Sequence, residues 1–142
     1  MKKILISCLG IMLLSSCVKD IELVPVNNVP SPVVQEGKQE ATGVFMNGVH
    51  AVSGTVKVIS DSKMPDKKYL SFENFKTDEG PDLYIYLAED TRSTNFTKVI
   101  KLDKTGTFVL EIPQEARLDK QQYVLVWCKR FSVLFGSAKL SQ

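Results

Sequence analysis

The sequence is short of the residues that most often do chemistry. Among 142 residues there is one histidine, His50, so the two histidines and cysteine of a blue-copper site cannot be assembled. Three cysteines are present. They form neither a Cys-x-x-Cys pair nor a Cys-x-x-Cys-His run, which removes dithiol exchange and covalent haem attachment. A zinc site made from cysteine and histidine alone lacks ligands, and no metal site is expected. No glycine-rich phosphate loop occurs. A Ser-His-Asp set can be drawn on paper around His50. Without a nucleophile-elbow pattern, however, a hydrolase has no motif, and a stand-alone enzyme is not expected.

What is present begins with the N-terminus. Met1-Lys2-Lys3 is a short basic start, and Ile4 to Leu14 is an apolar stretch too short to span a bilayer. Leu14-Ser15-Ser16-Cys17 follows. Basic start, apolar segment and box together resemble a bacterial lipoprotein signal, in which the small residues fit a peptidase and the cysteine accepts diacylglycerol. Residues 1–16 are therefore expected to be removed and Cys17 to be lipidated. Two or more acyl chains give stable anchoring. The expected location is the cell envelope of a bacterium, on the outer membrane, with the lipid as the link to that membrane.

Cleavage changes the charge balance. The chain has 18 Lys+Arg against 16 Asp+Glu, and Lys2 and Lys3 leave with the signal, so the mature chain balances. A nucleic-acid partner has no electrostatic support. The cysteine count changes too. Cys8 is discarded and Cys17 becomes a thioether, which leaves Cys128 as the one thiol, in a compartment where disulfides normally form.

Residues 17–42 read as the lipidated N-terminus and a Pro-rich tether, with Pro25, Pro30 and Pro32 enforcing extended backbone. Stretched out at roughly 3.1 Å per residue, about 25 residues reach ~75 Å. From Gly43 to the end, residues 43–142, period-two alternation takes over. In DLYIYLAE, Leu83, Ile85 and Leu87 share one face and Tyr84 and Tyr86 the other. SGTVKVIS, KYLSFENF, FTKVIKL, TFVLEI, YVLVWCK and SVLFG behave alike, and Asp103 to Gly106 reads as a hairpin loop. The segment around Glu115 to Leu118 reads as one helical turn. The pattern predicts an all-β fold, an antiparallel β-sandwich or barrel of about eight short strands.

Parity places Val124, Val126 and Cys128 on one face, with Tyr123, Leu125, Trp127 and Lys129 on the other. Both faces are largely apolar, so this strand reads as central, and a buried cysteine packs as a small hydrophobe. Arg130 returns to the thiol's face about one strand repeat away, and would lower the thiol pKa if the strand ends there. His50 reads either as a strand-end imidazole bonded to backbone or as a partner of Cys128. Phe72, Phe75, Trp127, Phe131 and Phe135 are core candidates and, equally, a wall for a flat cofactor.

The ordered blocks HAVSG (His50 to Gly54), ENF with Phe75, Gly80-Pro81-Asp82, Trp127-Cys128, Phe131 and Phe135-Gly136 resemble the electron-transfer DM-thirteen domain. The likeness runs from about Gly43 to Leu140. It implies an extracytoplasmic β domain with an electron-transfer role centred on Cys128, acting as a bare thiol or as a ligand for a group such as haem. In the haem case Trp127 is expected to help hold the group, with His50 and Arg130 nearby and a redox or protein partner outside the chain. The stretch KVIKLDKTGTFVLEIP departs from the family by lacking its glycine-rich, tyrosine-containing block. The competing expectation is a binding or structural module with Cys128 as core filler.

Overall fold

The structure, a computed structural model, describes residues 37–142. The signal segment, Cys17 and the tether up to residue 36 lie outside the described residues. Eight strands follow one another: β1 Gly37–Asn47, β2 Val52–Asp61, β3 Lys68–Thr77, β4 Leu83–Ala88, β5 Thr97–Lys101, β6 Gly106–Glu111, β7 Tyr123–Cys128 and β8 Val133–Lys139. All pair antiparallel in one sheet of order β5-β4-β7-β8-β1-β2-β3-β6, which curls into a nearly closed barrel. The first strand starts at Gly37, so the domain begins ahead of Gly43, where the sequence pattern placed it.

β1 joins the two halves of the barrel. Its first part pairs with β2, and Phe45 to Asn47 pair with β8. Inward residues of every strand meet in one core. Val56, Leu70, Phe72, Phe75, Ile85, Leu87, Val124 and Val126 are all fully buried there. Alternation alone accounts for most of this, because residues two apart share a face. Phe75 is different. It lies three residues beyond Phe72, yet both point inward, because the β3 register shifts between them and Asn74 takes φ 51°. Gly54 answers from β2 with φ 114°, and a Cβ there would stand 2.7 Å from the Phe75 Cα. The bulge needs both the left-handed backbone and the missing side chain.

The expected hairpin across Asp103 to Gly106 does not form. β5 pairs with β4 and β6 pairs with β3, so the two consecutive strands flank the open seam of the barrel. The Leu102 amide donates to the Leu83 carbonyl at 2.9 Å, which holds the end of β5 to β4, and Gly106, at φ 90°, starts the pairing with Phe75. The connection therefore crosses the barrel end instead of folding back on itself. The segment after β6 is two tight turns, Ala116 onto Pro113 and Lys120 onto Arg117, with no helix. Its Ala116 and Leu118 pack on the core, and the buried Gln121 amide bonds to Thr97, the Asn95 carbonyl and the Arg117 amide. Gln121 thus ties this segment to β5 beside the seam.

The β4–β5 loop is organised by Asp90. Its carboxylate accepts hydrogen bonds from the amides of Arg92 and Thr94 and from the Thr94 hydroxyl. These bonds favour the charged form and hold its pKa at about 2, against an ordinary 3.8. A depressed carboxylate pKa contributes stability above the unfolded value and loses it as pH falls. In acid titrations followed by circular dichroism, Asp90→Asn is expected to remove that part of the stability loss that falls between about pH 3.8 and about 2.

Candidate functional site

Cys128 is the last residue of β7, and 0% of it is exposed. It stands opposite Leu83 of β4 on one side and Val133 of β8 on the other. Val124, Val126 and Cys128 all lie in the main core, whereas Tyr123, Leu125 and Trp127 pack with Tyr84, Tyr86 and Leu134 on the outer face. The parity reading of this strand therefore holds. It ends at Cys128, however, where residues 129–132 form a turn with Ser132 at φ 52°, and the Lys129 amide still donates to the Asp82 carbonyl at 2.9 Å in register with the Leu83–Cys128 pair. Arg130 sits exposed in the β7–β8 turn, off the strand, so alternation no longer sets it on the thiol's side. Among the described residues Cys128 is the only cysteine.

The barrel end beside Cys128 is capped by residues 78–82. One end of the cap is bound to the β1–β2 turn. The Asp78 amide donates to the Ala51 carbonyl at 3.0 Å, and the Ala51 amide donates to Asp78 Oδ2 at 3.1 Å. Asp82 and Lys129 fasten the other end. Gly80 lies between them, so close that a Cβ would come within 2.8 Å of both Leu83 Cδ2 and Phe135 Cζ. Any larger residue would push these two side chains.

His50 closes the same end from the outside. Its ring stacks on Phe135 at 3.9 Å between centroids, and its Nδ1 lies 3.4 Å from Asp78 Oδ2. Phe135 is buried because the β7–β8 register shifts between Val126 and Trp127, which gives β8 an extra residue there. The structure thus brings His50, Phe135 and the cap together above the core that holds Cys128. No hydrogen bond or ion pair among the described residues joins His50 or Arg130 to Cys128.

A cleft of about 360 Å³ opens beside the cap, lined by Thr77 to Gly80, Leu83 and Leu102 to Thr105. It stops at Leu83, the cross-strand neighbour of Cys128. The buried thiol thus does not line the cleft, but its cross-strand neighbour Leu83 does.

A haem held by Cys128 would need a flat slot on the thiol's side of the sheet. That side is filled by Leu83, Val126 and Phe135, with Val133 packed against them. Trp127 points to the opposite face and cannot share a pocket with the Cys128 sulfur. The residues present do not fit a haem at Cys128. Among the described residues no cluster of three or more His, Cys, Asp and Glu side chains is set to hold a metal ion.

Two of the five aromatic core candidates lie elsewhere. Phe131 is 64% exposed at the tip of the β7–β8 turn, and Trp127 lies half-buried on the outer face. Sequence reading missed Asp78 as the partner of His50, since the two are 28 positions apart and no local pattern links them.

No curated protein and no solved structure matches the chain. The model of the electron transfer DM13 family matches residues 44–140, a span that takes in part of β1 and all of β2 to β8 with the cap and Cys128. The chain belongs to the electron transfer DM13 family.

Proposed function

We propose that this chain is a lipid-anchored domain of a bacterial envelope in which Cys128 is a redox thiol, kept closed in the core and exposed when the cap over Leu83 opens. The observation that carries the reading is the place of Cys128 at the end of β7, opposite the leucine that lines the cleft. Family membership supplies the electron-transfer role. His50, through Phe135 and Asp78, holds the cap shut, and Arg130 in the adjoining turn flanks the opening without touching the thiol. Once open, the thiolate attacks a disulfide sulfur of an envelope partner. A mixed disulfide forms, and the partner's second sulfur leaves as a thiolate. The partner is oxidant, and the thiol proton goes to solvent.

The test is the urea dependence of Cys128 labelling in the folded chain. Local opening exposes little surface, so the rate is expected to stay nearly flat at low urea and steepen only near the global transition. A labelling rate that follows the full unfolding slope from zero urea upward would sink the reading.

The alternative, a binding or structural module with Cys128 as filler, is favoured by one observation, the complete burial of the thiol. Substitutions that separate the two readings are considered in the Discussion.

A further inference from the structure

The two halves of the barrel carry charge differently. β2, β3 and β6 hold Asp61, Glu73 and Glu111, and two of their three lysines form ion pairs, Lys57–Glu73 at 2.6 Å and Lys68–Glu40 at 2.5 Å. β4, β5, β7 and β8 contain no aspartate or glutamate at all. Of the lysines on and beside these strands, Lys101 pairs with Asp82 and Lys98, Lys129 and Lys139 meet aromatic rings. Lys98 and Lys129 each lie about 6 Å from the Tyr84 ring, and Lys139 lies at the same range from Tyr123. None of these three pairs with a carboxylate among the described residues.

The outer face between these lysines is apolar and aromatic. One cross-strand row runs Met46, Ser137, Leu125, Tyr86, Lys98, and the next runs Leu134, Trp127, Tyr84, Lys101. Phe96 covers Tyr86 at 4.3 Å between centroids. Burial there, with Tyr84 and Asp82 adding, pushes the Tyr86 phenol above its ordinary pKa. Met46, 72% exposed, and Val44 extend the face onto β1. Tyr86 and Leu125 are buried at its centre, so the apolar surface open to a partner is Phe96, Met46 and Val44 with the partly exposed Tyr84, Trp127 and Leu134, and such a patch marks an interaction site. The nearest carboxylates at its edge are engaged: Asp90 within its own loop, Glu89 with Asn95, and Asp82 with Lys101.

We infer that this face docks on a lipid surface with anionic headgroups. Tyrosine and tryptophan settle at the headgroup level with their rings toward the acyl chains, and lysine stems lie along apolar surface while the ammonium groups reach phosphate. Lys98, Lys129 and Lys139, which pair with no carboxylate among the described residues, match an anionic leaflet better than the more heavily ion-paired half of the barrel does. The 36 residues ahead of β1 point to the same occupant. They contain the lipobox-like Leu14-Ser15-Ser16-Cys17, and β1 itself carries Val44 and Met46 at the rim of the face. The inference rests on the envelope reading only for the nearness of a bilayer. Docking would lay the barrel on its side and leave the capped end free at the margin.

The chain has a single tryptophan, Trp127, in the middle of the face, so its emission reports contact directly. The chain to use is residues 17–142 with Cys17→Ser, which cannot be acylated and contains the whole eight-stranded sheet. Vesicles of phosphatidylglycerol are expected to shift Trp127 emission to the blue and to sediment with the protein. Vesicles of phosphatidylcholine are expected to do neither, and high salt to reverse the effect. The triple variant Lys98→Gln, Lys129→Gln, Lys139→Gln is expected to partition about a hundredfold more weakly, with an unchanged urea midpoint. The inference is overturned by silence toward phosphatidylglycerol or by equal binding of the triple variant. It is also overturned if Trp127 responds to polyglutamate and not to vesicles, which would make the face a seat for an acidic protein. Mass analysis of Cys17 in the native host tests the anchoring separately, so the two readings can fail independently.

Discussion

Phe72→Ala is expected to cost about 4 kcal/mol, within the range of about 3–5 kcal/mol for buried phenylalanines cut to alanine. Phe72 is fully buried and central to the aromatic core. Its ring stacks on Phe108 at 4.6 Å, lies nearly parallel to Phe45 at 5.9 Å and meets Phe75 edge-on at 5.4 Å. Each such pair adds roughly 0.5–1.5 kcal/mol beyond area burial. These neighbours come from β1, β3 and β6, so the cavity cannot collapse by moving one strand. Small domains have about 5–15 kcal/mol in total, so the variant is left close to the limit of folding. Urea denaturation at neutral pH measures the loss as a lower midpoint at unchanged slope. Phe72→Leu, which keeps most of the volume but loses the three ring pairs, is expected to cost about 2 kcal/mol, less than the alanine variant. A loss below about 1 kcal/mol for the alanine variant would mean that the core does not depend on this stack.

Much of this architecture is legible in the sequence, and the reasons are local. Val56, Val58, Leu70, Phe72, Ile85 and Leu87 obey strict alternation and are buried as expected. Cys128 follows Val124 and Val126 into the core for the same reason. The rest depends on events that alternation does not encode. A bulge at Asn74 turns Phe75 inward, and the extra residue in β8 buries Phe135. The Asp103 to Gly106 signal reads as a hairpin because glycine supplies the positive φ such loops use. Here the bond from Leu102 to Leu83 keeps β5 with β4, and the chain crosses to β3. Alternation sets Arg130 on the thiol's face, but β7 ends at Cys128 and the turn of residues 129–132 carries Arg130 off the strand. Asp78 meets His50 only because the cap folds over the barrel end. The outer aromatic face had a sequence signal, the shared parity of Tyr84 and Tyr86. Its weight became visible only when β7 placed Trp127 beside them.

The decisive substitutions are at Cys128 itself, where size, polarity and thiol chemistry can be changed separately. Cys128→Ser keeps the shape and places a hydroxyl against Leu83 and Val133, where no acceptor other than the sheet's own carbonyls is at hand. Burying an unpaired hydroxyl costs about 1–3 kcal/mol in proteins, so the serine variant is expected to lose about 2 kcal/mol. It therefore confounds chemistry with instability. Cys128→Val is the clean change. Valine suits a strand interior and already forms the neighbouring inward positions Val124 and Val126; it exceeds cysteine by about one methylene, so a cost of about 1 kcal/mol, at the low end for overpacking, is expected. The valine variant keeps the fold and removes the thiol. If Cys128 is a redox centre, wild-type protein incubated with oxidised glutathione gains one glutathionyl group as one molecule of reduced glutathione leaves. The valine variant gains nothing and fails to replace the wild type in cells that depend on it. If Cys128 only fills space, the valine variant serves as well as the wild type, while serine is impaired in proportion to its stability loss. Burial predicts the stability ranking, valine above serine, under either reading. Only the order of activities decides between them, because a filler tracks stability and a redox thiol does not.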